Sequence, residues 1–238
     1  MRIALIGYGK MGKAIEEIAL HRGHEIVLQI DQPNLHEFTR ENLAKAEAAI
    51  EFTSPHSAPD NVKKLLEFGV PVVCGSTGWT SELDSMKQLC ADKGGAFAYS
   101  SNFSVGVNIF FEVNKRLAAL MAPHKEYEVI LEETHHTQKK DAPSGTAITL
   151  AEQVLAEVKR KKQWVNELSD NPEDLEIISQ REDPAPGTHS VKYSSVIDTI
   201  EIIHTAHNRT GFATGAVLAA EFLKDRKGFF TMKDVLGL

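Results

Sequence analysis

The sequence predicts an α/β chain in two parts: a doubly wound parallel sheet, then a second α+β domain carrying a mixed or antiparallel sheet. Three observations predict it. Short apolar runs alternate with helix-period segments up to residue 100, which implies parallel strands joined by right-handed crossovers. A glycine-rich turn, Gly7-Tyr8-Gly9-Lys10-Met11-Gly12, lies between the first such strand and the first helix. Beyond residue 176, β-branched and alternating runs follow one another without helices, which favours antiparallel pairing.

Residues 2–6 read as a short buried strand. After the glycine turn, Ala14, Ile15, Ile18 and Ala19 recur at helical spacing, and residues 25–30 form a second apolar strand ending at Asp31. Strand, glycine turn, helix, strand and acid in this order are the dinucleotide fingerprint of a Rossmann-type fold. The glycines let the backbone approach a pyrophosphate, which rests on the helix N-terminus. Gly7, Tyr8, Gly9, Lys10, Met11 and Gly12 are therefore candidate cofactor contacts. Asp31 stands about 20 residues past the last glycine, where an acid accepts hydrogen bonds from the adenosine ribose. Gln32 and Pro33 follow it, not an arginine to welcome a 2′-phosphate. That favours NADH over NADPH, although Arg40 and His36 stand near enough in sequence to reach a phosphate.

The alternation continues with a strand at 48–52, a helix at 58–68, a strand at 70–74, a helix at 81–90 and a strand at 96–100. Three strand ends carry small polar residues: Glu51-Phe52-Thr53-Ser54-Pro55, Cys74-Gly75-Ser76-Thr77-Gly78 and Ser100-Ser101-Asn102-Phe103-Ser104. Ligands on parallel sheets collect at such ends. The same residue types also build ordinary turns.

Residues 105–121 have helical spacing, with Val107, Phe110, Phe111, Val113, Leu117 and Leu120 mostly in the core. A strand at 127–132 then delivers the densest chemical stretch, Glu132-Glu133-Thr134-His135-His136-Thr137-Gln138-Lys139-Lys140-Asp141-Ala142-Pro143-Ser144-Gly145-Thr146-Ala147. Histidine moves protons near neutral pH, and lysine supplies a point charge or a proton. Ser144 caps a helix whose first-turn N–H groups make an anion site. That helix runs over 148–158, with Leu150, Ala151, Val154 and Leu155 on one face. The run Lys159-Arg160-Lys161-Lys162 reads as its solvated C-terminal turn. Residues 163–173 read as a polar loop, and 177–179, 189–196 and 199–204 as strands. A final helix passes through Ala216, Val217, Ala220 and Phe222. His204 and His207 are read as structural or exposed.

Composition narrows the functional classes. The formal charge of −7 argues against nucleic acid or anionic membranes as partners, so an anionic ligand needs a local positive cluster. The two cysteines, Cys74 and Cys90, lack metal-ligand spacing, and no metal is expected. They fit a reducing cytoplasm, with no signal peptide and no run of the roughly 20 apolar residues a membrane helix needs.

The stretch from Glu133 to Ala147 closely resembles the signature of the dihydrodipicolinate reductases, with its Glu-x-His-His run, its lysine and its Asp-Ala-Pro-Ser-Gly-Thr-Ala ending. Asn102-Phe103-Ser104-Val105-Gly106-Val107-Asn108 also resembles that family. The resemblance implies reduction of 4-hydroxy-tetrahydrodipicolinate to tetrahydrodipicolinate in lysine and diaminopimelate biosynthesis. It implies His135 as the general acid, Lys139 as a second proton donor, and His136, Gly145 and Thr146 as substrate contacts. Gly75, Ser76, Thr77, Ser100, Ser101, Asn102 and Phe103 become cofactor contacts. Lys140 is expected in solvent, Asp141 as an anchor for Lys139, and Pro143 as a preset for the turn.

The resemblance also implies a cofactor domain of 1–104 with 209–238 and a substrate-binding, oligomerisation domain of 105–208. Hinge strands at 103–105 and 208–210 would bring acid and cofactor together, and the assembly would be a homotetramer. Arg209 either binds a substrate carboxylate or, as the favoured reading, ties the domains together; Phe212 matches the same crossover. The chain departs from the family in a short second crossover, 32–47, which puts the adenine pocket in doubt. It also lacks about one hairpin between Gly187 and Glu201, which puts the tetramer in doubt. Two rivals stay open: another two-domain oxidoreductase, such as an aspartate or homoserine dehydrogenase, and a dinucleotide sensor without turnover.

Overall fold

The first strand, β1 (Arg2–Ile6), is apolar at every position after Arg2 because both of its faces are covered. In the computed structural model, which describes residues 1–208 and 210–238, β1 lies inside a six-stranded sheet. The others are β2 (Glu25–Ile30), β3 (Ala48–Glu51), β4 (Val72–Cys74), β5 (Ala96–Tyr99) and β11 (Gly228–Phe230). Their order is β11-β5-β4-β3-β1-β2, and every pairing is parallel. Side chains alternate across β1. Ile3 and Leu5 pack with α1 (Lys10–His21) and α7 (Thr210–Leu223); Ala4 and Ile6 pack with α3 (Ala58–Phe68) and α4 (Leu83–Lys93). Ala213, Ala216, Ala219 and Ala220 are buried and small, so α7 sits close against the sheet.

The short second crossover holds a 3₁₀ turn (Gln32–Glu37) and α2 (Arg40–Leu43), as its length requires. Asp31 caps that turn, accepting the Gln32 N–H at 2.8 Å. The strand expected at 70–74 starts at Val72, because Pro71 has no N–H to give the ladder. The sequence reading missed β11 and α8 (Met232–Leu236), since three residues carry too little pattern to register as a strand.

Contacts divide the chain into two units: Met1–Val105 with Thr210–Leu238, and Gly106–Arg209. The second unit contains most of α5 (Val105–Met121), then β6 (Glu128–His135), α6 (Gly145–Glu157), β7 (Gln163–Val165), β8 (Asp174–Arg181), β9 (Gly187–Ser194) and β10 (Thr199–Ala206). Its sheet is ordered β10-β9-β6-β8-β7. The pairings of β9 with β6 and with β10 are antiparallel, whereas β6 with β8 and β7 with β8 are parallel. The antiparallel expectation therefore holds for only part of this sheet. The crossover through α6 returns the chain in the direction of β6, and the long connection after β7 preserves that direction. Val129, Leu131, Ile177, Val191 and Tyr193 form its core against Leu150, Ala151 and Val154 of α6.

Two expectations fail in this unit. Residues 163–165 are an edge strand, not loop, with Trp164 in register with Leu175. The basic run after α6 is not wholly solvated. Arg160 donates to the carbonyl of Tyr127 at 2.5 Å, and buried Lys161 reaches the Glu128 carboxylate and the Pro172 carbonyl, both at 2.9 Å. Periodicity marks where a helix ends, but not which of its last side chains turn inward.

Candidate active site

In the first unit the crossover from β1 runs to β2 on one side, and the next returns past β1 to β3 on the other. This is the topological switch at which such sheets bind ligands. Two of the three glycines there are sterically required. Gly7 has φ +94°, and a Cβ on it would lie 2.2 Å from the Phe52 carbonyl oxygen; one on Gly12 would lie 2.3 Å from the Gly7 carbonyl oxygen. With Gly9 as its N-cap, α1 points its first N–H groups out of the turn.

A cleft of about 300 Å³ opens beside it, lined by Gly7, Gly9, Asp31, Gln32, Phe52 and Thr53 among others. A second, of about 230 Å³, is lined by Met11, Phe52, Thr53, Gly75, Ser76 and Thr77 among others. This is a polar, glycine-floored groove with an acid at one end and a helix start at its side, which fits a dinucleotide.

Several expected cofactor residues do not line either cleft. The Tyr8 hydroxyl donates to Glu16, and Lys10 is exposed at the helix start. Gly12 is buried under the turn. The Ser100 hydroxyl donates to the Asn102 carbonyl at 2.7 Å, Ser101 is exposed, Asn102 accepts the Ser104 N–H, and buried Phe103 packs on Phe52. These four residues shape a loop in this conformation.

The sequence reading gave no role to Glu51. Its wholly buried carboxylate accepts the Thr53 N–H at 3.1 Å, the Thr53 hydroxyl and the Cys74 thiol, and so braces the floor of both clefts. Burial, then the neighbouring Glu51 charge, pushes the Cys74 thiol up, so it stays a thiol.

In the second unit the alternation along β6 points Val129, Leu131, Glu133 and His135 inward. Two apolar residues are followed on the same face by an acid and a histidine. Glu133 is fully buried and collects donors from the α6 cap and β8: the Ser144 N–H at 3.1 and 3.2 Å and the Ser179 hydroxyl at 2.7 Å, with the Arg181 guanidinium at 3.7 Å. His189 Nε2 lies 3.6 Å from its Oε2 and 3.1 Å from the Ser144 hydroxyl. Burial alone would raise the Glu133 carboxyl, but hydrogen bonding from His189, Ser144 and Ser179 outweighs it and holds the group at about 2.

His135 is 6% exposed, with its ring 5.0 Å from that of His189. Its Nδ1 lies 3.5 Å from Glu133 Oε2 and makes no hydrogen bond. Burial, then repulsion from His189, lowers it to about 4 against the opposing pull of Glu133; the charges of Lys139 and Arg181 push the same way. In this state His135 is a neutral imidazole at pH 7.

The segment after β6 is pinned at both ends. Thr137 donates through its N–H and hydroxyl to Asp183 at 3.2 and 2.6 Å. Arg181 donates to the carbonyls of Lys139 at 3.3 Å and Asp141 at 2.5 Å. Lys139 Nζ lies 2.8 and 2.7 Å from the two oxygens of Asp141, the anchor expected of that residue; Lys140 is exposed. Ser144 caps α6, accepting the Ala147 N–H at 3.2 Å. Helix geometry leaves the N–H groups of Gly145 and Thr146 to meet an anion. The structure thus gathers His135, His136, Lys139, Gly145 and Thr146 around one end of this sheet.

Glu133, His189, Ser179 and Arg181 were missed as site residues. The last three lie on β8 and β9, more than forty positions along the chain, and no local pattern links them to His135. Glu133, His135 and His189 also place one possible metal-ligand atom each within 4.8 Å of one another. The carboxylate already holds an N–H and a hydroxyl and faces a guanidinium, a setting that suits proton chemistry better than a cation. Arg209 lies outside the described residues. Phe212 is in α7, and exposed His207 follows β10. His204 packs on Phe110 with its ring centroid 5.9 Å away, as a structural histidine does. No described helix is long and apolar enough to cross a membrane.

Two family models cover this chain, the dihydrodipicolinate reductase N-terminus over residues 1–103 and its C-terminus over 106–236. A 4-hydroxy-tetrahydrodipicolinate reductase of Christiangramia forsetii is 48% identical over 99% of this chain and 98% of its own length. The enzyme of the same name from Methanoregula boonei is 36% identical over 82% of this chain and 76% of its own. Among solved structures, a dipicolinate-bound dihydrodipicolinate reductase from Paenisporosarcina shares the fold with a TM-score of 0.77 at 22% identity, over 97% of both chains. An amine dehydrogenase from Mycobacterium smegmatis superposes with a TM-score of 0.62 at 11% identity, covering 98% of this chain and 95% of its own. Two matched family halves and near-half identity along the whole length leave one assignment: the chain belongs to the dihydrodipicolinate reductase family.

Proposed function

We propose that this protein reduces 4-hydroxy-tetrahydrodipicolinate to tetrahydrodipicolinate, in lysine and diaminopimelate biosynthesis, with His135 as the proton donor. The observation that carries the reading is the end of β6, where a buried histidine, a lysine and a capped helix start converge. A nicotinamide cofactor supplies the hydride. Loss of the 4-hydroxyl as water leaves an unsaturated ring; that ring, once it has gained the hydride, is an electron-rich enamine and must take up a proton. His135 supplies it, a role typically worth 10²–10⁴ in rate.

A carboxylate of the substrate rests on the Gly145 and Thr146 N–H groups, with the Thr146 hydroxyl and His136 alongside. The other meets Lys139, which exchanges Asp141 for it. Asp141 is exposed, and such a pair costs little to open. Lys139 also serves as the second proton donor.

On this reading the first unit binds the cofactor and the second binds substrate and builds the oligomer. Gly7 to Gly12 and the start of α1 hold the pyrophosphate, Asp31 the ribose, and Gly75–Thr77 with residues 100–103 the nicotinamide end. Asp31 favours NADH, because a 2′-phosphate would meet its charge; NADPH is the weaker donor. The exposed apolar residues Ile200 and Ile203 on edge strand β10, with Val196 and Ile197 at its hairpin, support a homotetramer built on this sheet. Its place of action is the cytoplasm, with a small dicarboxylate, and neither nucleic acid nor membrane, as partner.

The test adds NADH, then NADPH, to protein and freshly made product of the synthase that condenses pyruvate with aspartate semialdehyde. Loss of cofactor absorbance is expected, faster with NADH. No loss with either cofactor discards the reading, and light scattering at a dimer mass discards the tetramer.

A further inference from the structure

The carboxylate of Glu133 has no part in the reaction described above, yet it lies beside the acid and binds residues that hold the following loop and the helix start. One oxygen faces His135 Nδ1 at 3.5 Å and His189 Nε2 at 3.6 Å, and both oxygens lie near the Ser144 N–H that starts the anion-binding helix. The other oxygen takes the Ser179 hydroxyl and faces Arg181, whose guanidinium also holds the carbonyls of Lys139 and Asp141. A buried carboxylate ringed by donors is expensive to remove from water and is kept where its charge is needed.

The two nitrogens of His135 meet different surroundings. Nδ1 is buried without a hydrogen bond and looks toward the carboxylate. Nε2 looks toward Gly187, where a Cβ would lie 3.0 Å away and crowd that nitrogen. Gly187 has φ +154° and begins β9, the strand that also carries His189.

We propose that Glu133 is the positioning residue of the acid: it takes the Nδ1–H of His135, which makes Nε2 the nitrogen that hands over the proton. Shortening the separation by about 0.5 Å makes the bond. When the imidazolium forms, Nδ1–H points at Glu133 and Nε2–H at the substrate. Proton transfer breaks the Nε2–H bond and forms the C–H bond on the enamine carbon, leaving neutral His135 with its proton still on Nδ1. Ser179 and Arg181 on the other oxygen, with the Ser144 N–H, hold the carboxylate in place. The charged groups around His135 are Glu133 on its own strand, His189 on β9, Arg181 on β8 and Lys139 in the following loop, and of these Glu133 alone is negative.

The proposal rests on His135 being the acid, and its test separates the two. Nitrogen-15 spectra of His135 in the metal-free wild-type protein, in EDTA at pH 7, read its tautomer without reference to activity. Without ligand the Nδ1–H form is expected; with pyridine-2,6-dicarboxylate Nδ1 keeps its proton while Nε2 gains one in part. An Nε2–H form in both overturns the proposal, as does a resonance that appears only after EDTA strips a metal from Glu133, His135 and His189.

In Glu133→Gln the amide keeps the shape but offers an N–H to Nδ1. We expect kcat to fall 10²–10⁴-fold with KM nearly unchanged, and the alkaline limb of the kcat profile, where the acid loses its proton, to move to lower pH. Glu133→Asp should recover part of kcat. An E133Q protein with wild-type kcat and pH profile overturns the proposal. If His135→Ala keeps full activity while the wild-type tautomer is Nδ1–H, the general-acid reading fails and the Glu133 contact survives.

Discussion

Binding of a dicarboxylate should pull a proton onto His135. Without ligand the imidazole sits at about 4, so at pH 7 almost none of it is charged. A general acid must carry its proton in the complex. Moving the group from about 4 to 7 takes about 4 kcal/mol, at 1.36 kcal/mol for each tenfold change in protonation. One substrate carboxylate about 4 Å from the ring supplies about 4 kcal/mol at an effective dielectric of 20. A single well-placed carboxylate therefore suffices.

Titration calorimetry with pyridine-2,6-dicarboxylate and saturating NADH, in buffers of different ionisation enthalpy, counts the protons taken up. About half a proton per site is expected at pH 7, approaching one at pH 6. His135→Asn should abolish the uptake, and His136→Asn should leave it. No uptake by the wild type, or equal uptake by H135N, would refute the reasoning, because the acid would then have no proton to give.

The same pair governs acid stability. His135 is lower in the folded protein than its ordinary 6.5, so its contribution is present above pH 6.5 and lost as pH falls towards about 4; Glu133, lowered from 4.5, loses its own between 4.5 and about 2. Each loss amounts to about 3 kcal/mol at most, and the two are coupled, so urea midpoints of wild type should fall more steeply between pH 6.5 and 4.5 than those of H135N. Parallel curves would sink this. Lys139→Ala should lose turnover and weaken substrate while fluorescence titration shows NADH binding intact; a fall in NADH affinity would move Lys139 to the cofactor site. Asp31→Ser should raise the NADPH-to-NADH ratio of kcat/KM about tenfold, roughly 1.4 kcal/mol, and an unchanged ratio would remove Asp31 from cofactor selection.

How much of the site was legible depended on sequence distance. The glycine turn, Asp31 and the run from His135 to Thr146 lie within single segments whose spacing carries their chemistry. Glu51 and Glu133 were visible only as acids beside apolar residues, with nothing to show that their side chains turn inward. The inward turn of Arg160 and Lys161 was hidden for the same reason: charge in a sequence says nothing of the carbonyls a folded chain will present. The strand at Gln163–Val165 was lost among polar neighbours, and β11 was too short to signal itself.

The sequence by itself determined the Rossmann-type sheet, the second α+β region and the capped helix, and it singled out His135 and Lys139 as candidates. Periodicity, glycine geometry and helix capping act over a few residues and need no partner. Only the tertiary structure decided that β6 pairs with β8 and β9, and hence that Ser179, Arg181 and His189 surround Glu133 and His135. Those pairings also set the electrostatics of the site. Burial and the neighbouring imidazole make His135 neutral, while donors from three elements keep Glu133 charged. A pKa is the sum of desolvation and all nearby charges, and half of the charged neighbours of His135 (His189 and Arg181) reach it across the sheet, not along the chain.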